Sequence, residues 1–256
     1  MATTGSIEST VAVRALVLAG GLGSRLRSLV PELPKTLAPV GGRPFLEYVL
    51  RQLADQGIQD VTICTGYGST AVQRYADELA LPGIQISLSE EPQPLGTGGA
   101  LRLAIERHAD PEFLVLNGDS FFDIRFERLI EAHHAMGADV TIAVRPMSSP
   151  GRFGSVSVDD GGWLTAFREK VDSGPGLING GIYMVNRTVL AGLPLGQQVS
   201  LERDVFPRLV GESRNRGIAT VEFEGWFTDI GVPVDYLAID EDPRPIVAAL
   251  ARRSTC

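Results

Sequence analysis

From Val13 onward the chain alternates short apolar runs with stretches of helical periodicity. "RALVLA" (Arg14 to Ala19) is a continuous apolar run after its first residue, as expected for a strand covered on both faces. In "PFLEYVLRQLADQG", Pro44 suits a first helical position, apolar residues recur at Phe45, Leu46, Val49, Leu50 and Leu53, and Gly57 marks the stop. "DVTICTG" reads as a second strand and "STAVQRYADELA" as a second helix, with serine and threonine as candidate caps. A third strand spans Ile84 to Glu91, and the helix "ALRLAIERH" follows a glycine-rich loop. Next come a strand from Phe113 to Asp119, the helix "FERLIEAHHAMG" and the strand "DVTIAV". Strands and helices alternating at this spacing predict an α/β fold with a Rossmann-like, mostly parallel mixed sheet, right-handed crossovers and flanking helices. After Arg145 the pattern loosens. "FGSVSVDD", "LTAFREK" and "GGIYMV" read as shorter strands, followed by the helix "SLERDVFPRLV" and the strand "IATVEFE". That region predicts a smaller, mixed-sheet lobe.

The 256 residues suffice for one large α/β domain or two small ones, and a 44% hydrophobic content fills a sizeable core. No repeat, low-complexity tract or linker divides the chain, so a single unit from residue 13 to 256 is expected. A net charge of −8 argues against a surface for nucleic acid or anionic lipid, both of which need a clustered positive field. Any phosphate must be gripped locally. Two cysteines, Cys64 in an apparent strand and Cys256 at the end, give neither a disulfide framework nor a zinc spacing, and a reducing cytoplasm is expected. Residues 1–12 lack the charge and apolar run of a secretory signal and read as a disordered leader; no run reaches the length of a membrane span.

Three unusual loops follow strand ends: "GGLGSR" after the first strand, "EEPQPLGTGGA" after the third and "NGDS" after the fourth. In an open parallel sheet those ends face one crevice, where ligands bind. The first loop is not a Walker A loop, because Pro34 and not glycine precedes Lys35. Nor is it a dinucleotide fingerprint, because Leu26 stands where the third glycine belongs. Gly20, Gly21 and Gly23 nonetheless let backbone N–H groups approach an anion, with Arg25 as a forked donor and Lys35 as a point charge. A chain of phosphates would satisfy them all; a glycine-rich turn with two solvated cations is the plainer alternative. Asp119 ends an apolar strand, where it either caps the next segment or binds metal, and Asp229 in "WFTDIGVP" is a second acid among apolar residues. Two carboxylates beside a phosphate grip suggest Mg2+. His108, His133 and His134 read as surface residues on helices, and Cys64 as a buried packing residue.

"LAGGLGSRLRSLVPELPK" resembles the signature of the sugar-1-phosphate nucleotidyltransferases, G-G-x-G-T-R-L-x-P-x-T-x-x-x-P-K. Gly20, Gly21, Gly23, Arg25, Pro34 and Lys35 match it, whereas Ser24, Ser28 and Val30 replace a threonine, a proline and a threonine. "EPQPLGTGGA", "LNGDSFFDI", "RFGSV", "FREK", "NGGIYMV" and "WFTDIGVP" extend the resemblance from about Val13 to Asp242. Within the family the sequence is most similar to the D-glycero-α-D-manno-heptose-1-phosphate guanylyltransferases, through "RSLVPELPKTLAPVGGRPFLEYVL" and "NGDSFFDI".

The resemblance implies the nucleotide-diphospho-sugar transferase (GT-A-like) fold, with residues 13–145 as the nucleotide-binding half and 146–245 as the sugar-phosphate-binding half. It implies that Leu18, Ala19 and Gly20 line the base, with Gly96 and Thr97 closing over base and ribose. Gly21, Gly23, Arg25 and Lys35 would hold the triphosphate, and Asp119 and Asp229 would ligate Mg2+. Gly154, Glu169 and Asn179 would hold the sugar hydroxyls, and Lys170 would pair with the sugar phosphate. The implied partners are a nucleoside triphosphate and a sugar 1-phosphate, with Arg25, Lys35 and Lys170 catalytic and no nucleic acid or membrane involved. GTP with the heptose phosphate is the first expectation. GTP with mannose 1-phosphate, or dTTP or UTP with glucose 1-phosphate, are the alternatives, and a sugar-nucleotide sensor without catalysis is the rival from another class. The second lobe's surface could support a homodimer.

Overall fold

The computed structural model describes residues 13–21, 23–151, 153, 155–168, 174–212 and 217–252. The leader expected over residues 1–12 lies outside them. In chain order the elements are β1 (Arg14–Leu18), the short strands β2 (Pro39–Val40) and β3 (Arg43–Pro44), α1 (Phe45–Ala54), β4 (Asp60–Thr65), α2 (Ser69–Glu78), β5 (Gln85–Glu90), α3 (Gly96–Ala104), β6 (Glu112–Asn117), β7 (Ser120–Phe122) and α4 (Phe126–Met136). There follow β8 (Val140–Met147), β9 (Ser155–Val158), β10 (Leu164–Arg168), β11 (Gly176–Asn186), α5 (Arg187–Ala191), and a π-turn Leu201–Val205 running into α6 (Phe206–Glu212). The chain continues through β12 (Ile218–Glu222), β13 (Phe227–Asp229), α7 (Pro233–Glu241) and α8 (Arg244–Ala251).

The main sheet runs β10-β9-β11-β6-β1-β4-β5, with β8 pairing β11 and β12 pairing β8. Its first half is parallel throughout, β1 lying between β4 and β6. Strict alternation explains why these strands read as continuous apolar runs. Ala15 and Val17 of β1 face one core together with Leu114 and Leu116, while Leu16 faces the other together with Phe113 and Val115. The five apolar positions expected of α1 are all buried.

Expectations for one strand, one helix start and the histidines need correction, and two helices add to the predicted elements. "GGIYMV" is not a short strand but the second half of β11, an eleven-residue strand antiparallel to β6, β8 and β9. Its register against β8 shifts between Asn179 and Tyr183, and Gly181 there has a φ of +74°, so the sequence looks broken at a bulge that the strand passes through. The helix expected from Ala100 begins a turn earlier, at Gly96. The C-terminal helices α7 and α8 carry no clear sequence signal, yet Tyr236 donates to the Pro39 carbonyl at 2.8 Å and Ile246 is wholly buried in the core that α1 lines. Finally, His133 is not on the surface: 2% exposed, it lies 2.8 Å from the Thr141 hydroxyl and 3.2 Å from Asn186 Oδ1, and burial lowers its pKa. His108 is partly buried against Thr62, while His134 is exposed, as expected. Cys64 is fully buried, and burial pushes its thiol well above the usual range.

Leu16 is wholly buried at the centre of the sheet. Leu16→Ala is expected to lower the unfolding free energy by about 2–5 kcal/mol, read from urea denaturation.

Candidate active site

The carboxyl ends of β1, β4, β5 and β6 open on one side of the sheet. The Ala19 amide donates to the Cys64 carbonyl at 2.8 Å and the Gly118 amide to the Leu18 carbonyl at 2.9 Å, so the glycine loop leaves the sheet wedged between its neighbours. Above it lies a cleft of about 300 Å³. One wall is Leu18, Gly20, Gly21 and Glu91; another is Pro94, Gly96, Thr97 and Ala100; Asn117, Asp119, Gln198 and Glu202 complete it. Ala19 lies beneath the loop, 3% exposed, and does not line the cleft.

Local chemistry explains the two glycine clusters. A Cβ on Gly20 would lie 2.2 Å from Glu91 Oε1, so only bare backbone admits that carboxylate. Gly21 is exposed with nothing within 4 Å of its would-be Cβ; the fold has no steric need for glycine there, and the space is open to a ligand. Gly96 has a φ of +71°, and a Cβ on it would lie 2.6 Å from the Val199 carbonyl, which accepts hydrogen bonds from the Gly98 and Gly99 amides at 2.9 and 3.2 Å. The first turn of α3 therefore docks by its backbone on residues 197–199, carrying Thr97 into the cleft.

The charged end forms by a different route. Pro34 leads into a 3₁₀ turn that begins at Lys35, whose Nζ lies 2.5 Å from Asp119 Oδ2. Strand β13 pairs antiparallel with β7, setting Asp229 opposite Ser120, and the Ile230 amide donates to the Asp119 carbonyl at 2.9 Å. Edge-on contacts of Phe122 with Phe223 and Phe227, and a tilted contact of Phe121 with Trp226, anchor this two-strand ladder. A Cβ on Gly231 would lie 3.0 Å from Asp229 Oδ2 and 3.5 Å from Lys35 Nζ. Lys35, Asp119 and Asp229, far apart in sequence, thus meet at one point. Among the described residues no group of three or more His, Cys, Asp or Glu side chains could hold a metal. Two neighbouring carboxylates are an incomplete oxygen set, of the kind magnesium completes with water and substrate phosphate. Gly23 lies against Lys35, a Cβ there falling 2.9 Å from the lysine's own, and Arg25 is exposed on the turn beyond.

Asn179 pairs with Val144 of β8 and borders the bulge of β11. Its Nδ2 donates to the Tyr183 hydroxyl at 2.9 Å, and its Oδ1 accepts from the Gly181 amide at 2.9 Å. Tyr183 is wholly buried, which pushes its phenol upward. Gly154, Glu169 and Lys170 lie outside the described residues.

The family model described as nucleotidyl transferase matches residues 14–244. The chain belongs to that family. As a nucleotidyltransferase it is 37% identical to a D-glycero-α-D-manno-heptose 1-phosphate guanylyltransferase of Aneurinibacillus thermoaerophilus over 224 residues, 88% of this chain and 95% of the relative. It is 35% identical to a mannose-1-phosphate guanylyltransferase of Mycobacterium tuberculosis, over 90% of this chain and 64% of that longer protein. The crystal structure of HddC from Yersinia pseudotuberculosis complexed with GMP-PN superposes with a TM-score of 0.80 at 27% identity, covering 91% of this chain and all of that one.

Among the cleft residues of this nucleotidyltransferase that sequence reasoning passed over are two carboxylates, Glu91 and Glu202. The signal for Glu91 was its place before "PQPLGTGGA", but only its proximity to Gly20 reveals what it does. Its Oε2 accepts from the Leu95 amide at 2.7 Å, and burial raises its carboxyl above the ordinary range despite that bond. A raised folded-state pKa contributes stability below the unfolded value and loses it as pH rises through the folded value. Glu91→Gln is therefore expected to raise the melting temperature at pH 7.5 and to raise it less at pH 4, measured by thermal denaturation at both.

Proposed function

We propose that the protein transfers GMP from GTP to a sugar 1-phosphate, with D-glycero-α-D-manno-heptose 1-phosphate as the first choice, giving GDP-heptose for bacterial surface polysaccharide and releasing pyrophosphate. The observation that carries this reading is the polarity of the cleft. Lys35 meets Asp119 and Asp229 at one end, and the carboxylate of Glu91 stands over the glycine loop at the other. Guanine presents adjacent N–H donors along one edge, and an ionised carboxylate is purely an acceptor, so Glu91 suits guanine better than thymine or uracil. The names of the relatives point the same way for base and sugar.

In the reaction, an oxygen of the sugar's phosphate attacks the α-phosphorus of GTP, the bond to the β-phosphate oxygen breaks, and pyrophosphate leaves in line. No covalent enzyme intermediate and no strong base are needed, since a phosphate monoester is largely deprotonated at neutral pH. The chain's task is to bring two anions together. Backbone amides of Gly20, Gly21 and Gly23 approach the triphosphate, and Lys35 and Arg25 offset charge on the departing pyrophosphate. Asp119 orients Lys35 in advance through their ion pair. Lys170 offsets charge on the incoming phosphate, with Gly154, Glu169 and Asn179 at the sugar. Asp119 and Asp229 would hold Mg2+, which supplies positive charge beside the reacting phosphate.

Pyrophosphate release, measured with magnesium across GTP, ATP, dTTP and UTP against the heptose, mannose and glucose 1-phosphates, tests this reading. Release only with GTP and the heptose phosphate is expected. Another productive pair would keep the chemistry and discard the specificity, and no release from nucleotide-binding protein would favour a sensor. Lys35→Ala is expected to lower turnover at least about a hundredfold, the scale of losing one transition-state electrostatic contact. Unchanged turnover in folded protein would remove that role.

A further inference from the structure

Glu202 stands on the π-turn Leu201–Val205 and reaches the cleft from the second half of the chain. Its Oε2 accepts two hydrogen bonds, from the Thr97 hydroxyl at 3.0 Å and the Ser200 hydroxyl at 2.9 Å. Thr97 is held in turn, its oxygen accepting from the Leu201 amide at 2.8 Å. Both hydroxyl protons are thus committed to one carboxylate oxygen. Among the described residues, Oε1 has no hydrogen-bond partner and no cation pairs with Glu202. The carboxylate is partly buried and lines the same cleft as Asp119.

A carboxylate facing a cleft that receives phosphates is repulsive unless the group placed against it is a neutral donor. Two helix segments, α3 and the π-turn, are locked together through this carboxylate, whose hydrogen bonds both fall on Oε2, and π-turns recur at functional sites. We propose that Glu202 reads a substrate hydroxyl, accepting its proton in a hydrogen bond through Oε1, while Thr97 and Ser200 fix the direction of that oxygen. The hydroxyl belongs either to the ribose of the nucleotide or to the sugar of the sugar phosphate. The inference rests on reading the cleft as the site of nucleotidyl transfer.

Glu202→Gln reverses the polarity of this contact with little change in shape. Thr97 and Ser200 require an acceptor and so retain the amide oxygen, which turns the amide NH₂ toward the substrate in place of Oε1. Kinetics and calorimetric binding are measured on wild type and variant with GTP, 2′-deoxy-GTP and 3′-deoxy-GTP, and with the productive sugar 1-phosphate and its monodeoxy forms. Wild type is expected to disfavour one analogue by about tenfold or more, the scale of a hydrogen bond to a charged group. The variant should lose about as much on the full substrate and no longer distinguish it from that analogue. Loss of discrimination among nucleotides assigns the ribose; loss among sugars assigns the sugar. If the variant is folded and weaker but keeps every wild-type discrimination, Glu202 only props Thr97 and the proposal is overturned. Wild type that binds neither GTP nor any sugar 1-phosphate overturns the functional reading as well.

Discussion

Because β11 enters antiparallel between β6 and β8, it hydrogen-bonds on one side to the strand that ends in Asn117 and on the other to the strand that opens the second half. Pairing along both edges leaves it little freedom to slip, since a one-residue shift would turn Met184 and Tyr183 to the wrong cores. The bulge then becomes a positioning device. The shift begins directly after Asn179, which still pairs with Val144, and the buried Tyr183 four residues later accepts from the Asn179 side-chain amide. What looks like a second lobe appended to a nucleotide-binding sheet is a continuation of that sheet, and the cleft lies where the two meet.

The site is polarised along its length. Lys35 lies at one end, already neutralised by Asp119, and two further carboxylates, Glu91 and Glu202, line the rest of the cleft. For a protein of net charge −8 this arrangement matters, because the average field repels a triphosphate and only the local cations and backbone amides attract it. The acidic remainder is chemically matched to the parts of a nucleotide and a sugar that are neutral and rich in N–H and O–H donors. Ionising Glu91 costs folding stability, as its raised pKa indicates, so its place over Gly20 is one that stability alone would not select.

The parallel half was legible from sequence because strands buried on both faces must be apolar at consecutive positions, and α1 because its burial repeats with the helical period. The length of β11 was not, because two glycines mask a strand whose continuity depends on neighbours on both sides. Nor were α7 and α8, which settle on α1 and β2 through contacts almost two hundred residues away in sequence. Within the site, the glycines, Lys35 and Asp119 stood out because strand ends and phosphate grips have local signatures. His133 misled, since adjacent histidines on a helix say nothing of the Thr141 and Asn186 side chains that enclose one of them.

By itself, the sequence determined the fold class, the family and the loops where chemistry gathers, since each is written in residue type at short spacing. The tertiary structure alone decided that Lys35, Asp119 and Asp229 converge, that Glu91 lies against Gly20, and that Thr97 and Ser200 both donate to one oxygen of Glu202 at the cleft. Hydrogen bonds and ion pairs act over about 3 Å, and which distant side chains come that close is set by sheet order and register, which no local pattern encodes.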